Sequence, residues 1–153
     1  MESANVAGLA GSVRTTKSEE PQGFDAAAGQ LYQRFERLWA TRDPSLIAGI
    51  VAADGESFWS GQGAVAGRDY PDRWQSLVRA VDALEFTVTG RAAEDPYLFI
   101  SWHARGTVGA KSVEFDGVDR FRLRGELADE VYVVFDTAPI RELRGTARRS
   151  SGS

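Results

Sequence analysis

The chain has 153 residues, 42% of them hydrophobic and 26% charged, the composition of one ordinary globular domain with a single core. Its formal net charge of −4 speaks against a nucleic-acid partner, which would ask for a basic face. With no cysteine and one histidine, His103, the chain excludes disulfides, a thiolate nucleophile and a multi-histidine metal site of its own.

Residues 1–23 are rich in Ser, Thr, Gly, Ala and charge without periodicity, and read as a disordered arm. Gly, Ser, Asn and Arg interrupt the N-terminus too often for a signal peptide, and no apolar run reaches the length of a membrane span. A cytoplasmic location without a membrane partner is therefore expected. The first helix is predicted over residues 25–40, where Ala28, Leu31, Tyr32, Phe35, Leu38 and Trp39 recur at three- and four-residue steps. Asp43-Pro44 supplies an N-cap and a first-turn proline for a short second helix that carries Leu46, Ile47, Ile50 and Val51 inward. Asp54-Gly55 should end that helix in a turn. Residues 56–60 read as a short extended piece broken by Gly61-Gln62-Gly63. A third helix should start near Asp69 as N-cap and bury Trp74, Leu77, Val78 and Val81.

From there the pattern turns to strands. Residues 84–89, 97–108, 111–123 and 130–135 are rich in β-branched and aromatic residues and separated by Gly-containing turns. Helices first and a meander of strands afterwards is an α+β order, with the strands curling around the helices and a pocket at the open end. Residues 142–153 read as a flexible tail, which leaves residues 24–141 as the domain.

The most informative stretch is residues 113–123. At a two-residue period Val113, Phe115, Gly117, Asp119, Phe121 and Leu123 share one face, and Glu114, Asp116, Arg120 and Arg122 the other. The first face is apolar but for Asp119. A carboxylate in an apolar layer is costly unless it is paired, protonated or lining a wet pocket. Asp119 is therefore either a general acid or base with a raised pKa, or a buried aspartate tied to backbone amides or an arginine. In the strand before it, Leu98, Ile100, Trp102 and Ala104 share one face and Phe99, Ser101, His103 and Arg105 the other.

Five local patterns stand in one order: Asp43 between two amphipathic helices, Gly67-Arg68-Asp69, Trp102-His103-Ala104-Arg105-Gly106-Thr107, Gly117-Val118-Asp119-Arg120-Phe121-Arg122-Leu123, and Phe135-Asp136-Thr137-Ala138-Pro139-Ile140. Together they resemble the SnoaL-like branch of the nuclear-transport-factor-2-like superfamily, over roughly residues 24–141. The resemblance implies a cone of three N-terminal helices packed in a curved, mainly antiparallel sheet. That fold hosts polyketide cyclases, steroid isomerases, epoxide hydrolases, dehydratases and inert binding domains, so chemistry has to be argued from the site. Asp119 matches the acid that serves ketosteroid isomerases as an oxyanion donor and SnoaL-type cyclases as the central acid/base. The isomerases' tyrosine donor falls at Phe35 and their aspartate base at Trp59. The cyclases' partner histidine falls near Val108.

The resemblance turns Trp102 toward the pocket, and His103, by parity, outward to a surface or subunit contact. It likewise turns Glu130, Tyr132, Val134 and Asp136 inward. Tyr132 then either donates to an oxyanion or is a core aromatic, and Asp136 either pairs with a substrate hydroxyl or caps the closing turn. Phe35, Trp59, Trp102, Tyr32, Phe121 and Val134 are the expected substrate-binding wall, and Trp74 is expected in the core. Arg120, Arg122, Glu114 and Asp116 should form an outer charge ladder. Phe99, Val131, Val133 and Phe135 beside it would be too apolar for bare exposure, and a homodimer through that face is expected. The implied activity is cofactor-independent and metal-free: acid/base cyclisation, isomerisation or hydration of an apolar polyketide- or steroid-like molecule. The other reading is a non-catalytic ligand-binding or dimerisation module.

Overall fold

The computed structural model describes residues 23–141; the expected tail, and the expected arm up to residue 22, lie outside the described residues. Helix α1 (Phe24–Thr41) buries Ala28, Leu31, Phe35 and Leu38, the three- and four-residue series that the sequence shows. It stops at Arg42, whose left-handed backbone (φ 57°) returns its N–H to the Leu38 carbonyl. The second helical segment is a 3₁₀ turn (Pro44–Gly49). Its start is fixed as expected, by the Asp43 carboxylate accepting from the Ser45 N–H at 3.0 Å.

The chain does not turn at Asp54-Gly55. Both residues lie within strand β1 (Val51–Trp59), where a register shift falls between Val51 and Glu56. A Cβ at Gly55 would stand 2.7 Å from the Asp129 carbonyl, so glycine is there for close backbone approach at the bulge. A tight turn then leads to β2 (Gly63–Ala66), a short edge strand that the sequence did not announce. Helix α2 (Tyr70–Ala80) follows a 3₁₀ turn, Gly67–Asp69. Asp69 occupies the N-cap position without capping. Its backbone (φ −96°, ψ −4°) already runs into the helix, and its side chain makes no bond to the first turn.

The remaining strands are β3 (Asp82–Glu94), β4 (Tyr97–Val108), β5 (Lys111–Arg124) and β6 (Leu127–Phe135). The six strands form one sheet in the order β2-β1-β6-β5-β4-β3, with β1 parallel to β6 and every other pair antiparallel. Alternation holds along β4 and β5, so Leu98, Ile100, Trp102, Ala104, Val113, Phe115 and Phe121 enter the core that α1 covers.

On β6 the expected facing is reversed. Val131, Val133 and Phe135 are buried, while Val134 is 55% exposed and Asp136 is exposed. The ladder forces this: Asp119 pairs with Val133 and Arg120 with Tyr132, and residues opposite each other in a ladder point to the same side. With Asp119 inward, Val133 must be inward too. Tyr132, Val134 and Asp136 therefore leave the expected site, and three of the four residues behind the dimer expectation leave the outer face.

Candidate functional site

The inner face of the sheet closes on one aromatic chamber, lined by all four tryptophans of the chain: Trp39 from α1, Trp59 from β1, Trp74 from α2 and Trp102 from β4. Asp119 lies among them, 5% exposed. Trp102 reaches it because Gly117 is its cross-strand partner. A Cβ on Gly117 would stand 2.2 Å from the indole, so only glycine lets that ring lie across β5. From there the Trp102 Nε1–H donates to Asp119 Oδ1 at 3.1 Å.

Burial pushes the Asp119 carboxyl up from the ordinary 3.8 to about 7, against the smaller downward pull of the Trp102 hydrogen bond. At neutral pH such a group is poised to give or take a proton. Tyr70, at the start of α2, lines the same chamber; burial first, and the Asp119 charge second, hold its phenol well above the usual range. It stays a neutral donor. Tyr70 is the residue that sequence reasoning missed. Its signal was present, since Tyr70 extends the series Trp74, Leu77, Val81 back by one helical step of four.

The four indoles divide two and two. Trp59 Nε1 donates to Ser57 Oγ at 2.9 Å, and that hydroxyl donates on to the Val65 carbonyl at 3.0 Å. Trp102 is satisfied by Asp119. The buried nitrogens of Trp39 and Trp74 have no partner among the described residues. Each such group costs about 1–3 kcal/mol of lost hydration.

The chamber is nearly full. Trp39 stacks on Phe86 at 3.8 Å and crosses Trp74 at 5.2 Å; Trp59 leans on Tyr70 at 5.0 Å. The residual cavity is about 20 Å³, room for one water-sized atom. Leu77 lines this cavity and also an open groove of about 390 Å³ beside it, between α2, the β1–β2 turn and the segment after β6.

Of the expected wall, Trp59 and Trp102 line the chamber, and Trp74, expected only in the core, joins them. Phe35 and Phe121 do not. They pack on each other at 5.9 Å as core beside it. Tyr32 is half-buried under the Arg91 guanidinium, 4.0 Å from its ring, with its phenol pushed up chiefly by a hydrogen bond to Glu36. Tyr132 lies on the other side of the sheet, stacked on Phe58 at 4.7 Å with Arg120 over its ring, and Val134 is its exposed neighbour. Asp136 caps the closing turn, accepting from the Ala138 N–H at 3.0 Å.

The outer face carries the ladder, with partners from neighbouring strands. Arg120 pairs with Glu130 at 2.9 Å and Arg122 with Asp129 at 2.8 Å. His103 does face outward. Its Nδ1 meets Asp116 at 2.7 Å and its Nε2 meets Glu114 at 2.6 Å, and these two bonds, Asp116 first, raise its pKa. Among the described residues no cluster of His, Asp and Glu could hold a metal ion, and no helix is long and apolar enough to cross a membrane.

Over residues 32–131 the sequence matches the family model of the SnoaL-like domain. The chain belongs to that family. No curated protein matches the sequence of this SnoaL-like domain. Its fold recurs in a candidate polyketide cyclase from Acidithiobacillus ferrooxidans (TM-score 0.62, 16% identity, covering 80% of this chain and 98% of that one). It recurs in AclR, a candidate hydroxylase from Streptomyces galilaeus (TM-score 0.66, 17% identity, covering 80% and 87%). A protein with a ketosteroid isomerase-like fold from Catenulispora acidiphila, in complex with trimethylamine, also shares it (TM-score 0.62, 16% identity, covering 75% of this chain and 92% of that one). The expected cone of helices in a curved sheet is thus the observed one, and at these identities the likeness carries the fold alone.

Proposed function

We propose that this SnoaL-like domain is a cofactor-independent small-molecule enzyme in which Asp119 carries the proton. The observation that carries this reading is a carboxyl buried among four tryptophans with an indole N–H as its hydrogen-bond donor. As a carboxylate, Asp119 takes a proton from a carbon next to a carbonyl, leaving an enolate. Returned to another carbon, the proton completes an isomerisation. In a cyclisation the enolate carbon instead bonds to a second carbonyl carbon, whose alkoxide then takes the proton from Asp119. Both routes suit a flat, apolar polyketide- or steroid-like substrate. Positioned acid/base catalysis of this kind supplies roughly a hundred- to ten-thousandfold.

A residual cavity of about 20 Å³ holds no such substrate, so binding requires the ring pack to part; Leu77 lines both the cavity and the neighbouring groove. That filled chamber also favours the second reading, a ligand-binding or dimerisation module without chemistry. Exchange of α-protons of 2-tetralone into D₂O, followed by NMR, separates the two. The wild type should accelerate exchange, rising as pH passes about 7, and Asp119→Asn should lower the rate at least about a hundredfold. Equal rates for both proteins would leave only the binding module.

We also propose a homodimer through the outer sheet face, resting on Phe99, Val118 and Val134, its exposed large hydrophobics. Sedimentation of Val134→Arg against wild type tests it. A dimer that becomes monomeric supports the proposal, and a monomeric wild type ends it.

A further inference from the structure

The proposed chemistry leaves Trp39 and Trp74 unused, yet they are the two indoles in the chamber with no acceptor among the described residues. A buried polar group without a partner calls for a specific reason, and one such reason is a ligand that supplies the missing atom. Both rings line the residual cavity and cross edge to face, so an acceptor that parted the ring pack would enter beside them. The other two tryptophans show that the fold can supply an indole with an acceptor: Ser57 is placed for Trp59 and Asp119 for Trp102.

We infer that the Nε1–H groups of Trp39 and Trp74 form a donor pair that recognises one acceptor oxygen, a carbonyl or quinone-type oxygen, on the ligand of this chamber. Tyr70, one turn before Trp74 on α2 and held neutral by burial, adds a third donor to the same lining. A flat ketone would meet donors from α1 and α2 on one side and the Asp119 carboxyl from β5 on the other. The helices then read the oxygen while the sheet moves the proton. An enolate oxygen gains more from these donors than a carbonyl oxygen does, because hydrogen bonds to charged acceptors are the stronger ones. The ketone is thereby preferred over the matching hydrocarbon, since losing the acceptor leaves the donors unpaired again.

This inference rests on the proposed function, in that the chamber must open to admit a ring. The test uses 2-tetralone and tetralin, which differ in the carbonyl, with the full chain labelled at the indole nitrogens. Four indole N–H signals are expected, one per tryptophan. Adding 2-tetralone should move the Trp39 and Trp74 signals downfield, and tetralin should not. Trp74→Phe keeps an aromatic ring and should weaken 2-tetralone about tenfold, close to 1.4 kcal/mol, leaving tetralin unchanged. If both ligands bind wild type equally and the variant alters neither, the donor pair is refuted while the openable chamber stands. If neither ligand binds wild type, the proposed function fails and the inference with it. Should Trp74→Phe not fold, the indole shifts in wild type alone decide.

Discussion

Asp116 and Asp119 stand three residues apart on one strand and live in different solvents. Asp116 points into water, shares His103 with Glu114, and acts by raising the pKa of that histidine. Asp119 points into four tryptophans, gains one indole N–H, and has its own pKa raised to about 7. The residue type is the same, and the side of the sheet decides what it does. On the outer side a carboxylate organises neighbours at little cost, because water screens it. On the inner side its ionisation becomes an energy of the whole fold.

The largest effect expected of that difference is on pH-dependent stability. A rise from 3.8 to about 7 is worth on the order of 4 kcal/mol. Because the folded value lies above the unfolded one, this stability is fully present below about pH 4 and is lost as pH rises through about 7. Urea unfolding from pH 4 to 8 should show that loss in wild type and not in Asp119→Asn. The same slope in both would place Asp119 on a par with Asp116. Next comes Gly117→Ala, which puts a methyl group into the Trp102 ring and should cost about 1–3 kcal/mol or more by overpacking. Urea midpoints at one pH measure it, and an unchanged midpoint would mean that the indole does not depend on the space over β5.

Trp102→Phe removes the one bond that pulls the Asp119 pKa down, so that pKa should climb further above 7. Carboxyl ¹³C NMR reads it directly, and a fall instead of a rise would overturn the assignment of the bond. The smallest effect belongs to the outer side. His103→Gln gives up interactions that are present below the free histidine value and lost as pH rises through the raised one. Its unfolding midpoint should change less than that of any inward variant. A larger change would show that the His103 bridge is more than a solvated pair.

Much of this is legible in the amino-acid order because alternation is local. Residues 98–105 and 113–123 carry a two-residue period that puts Trp102 and His103 on opposite faces and Asp119 in the apolar row, and the family resemblance implies that Trp102 is the inward one. On β6 those two signals part. The family resemblance turns Glu130, Tyr132, Val134 and Asp136 inward, against an alternation in which Val131, Val133 and Phe135 are the more apolar set. Register against β5 does choose, and register is a long-range fact. Tyr70 escapes notice for a related reason: a tyrosine opening a helix looks like a rim residue until the helix is seen lying over Asp119.

Local order in the chain carries α1, α2, the strands from β3 onward and one acid in an apolar row, because these follow from periodicity within a few neighbouring residues; the full length of β1, and β2, do not show there. What only the tertiary structure decided is which rings surround that acid, which donors are left without partners, and how little room remains between them. Those depend on side chains from both helices and from strands β1, β3, β4, β5 and β6 meeting at one point, and close packing there is a property of the assembled volume that no local stretch contains.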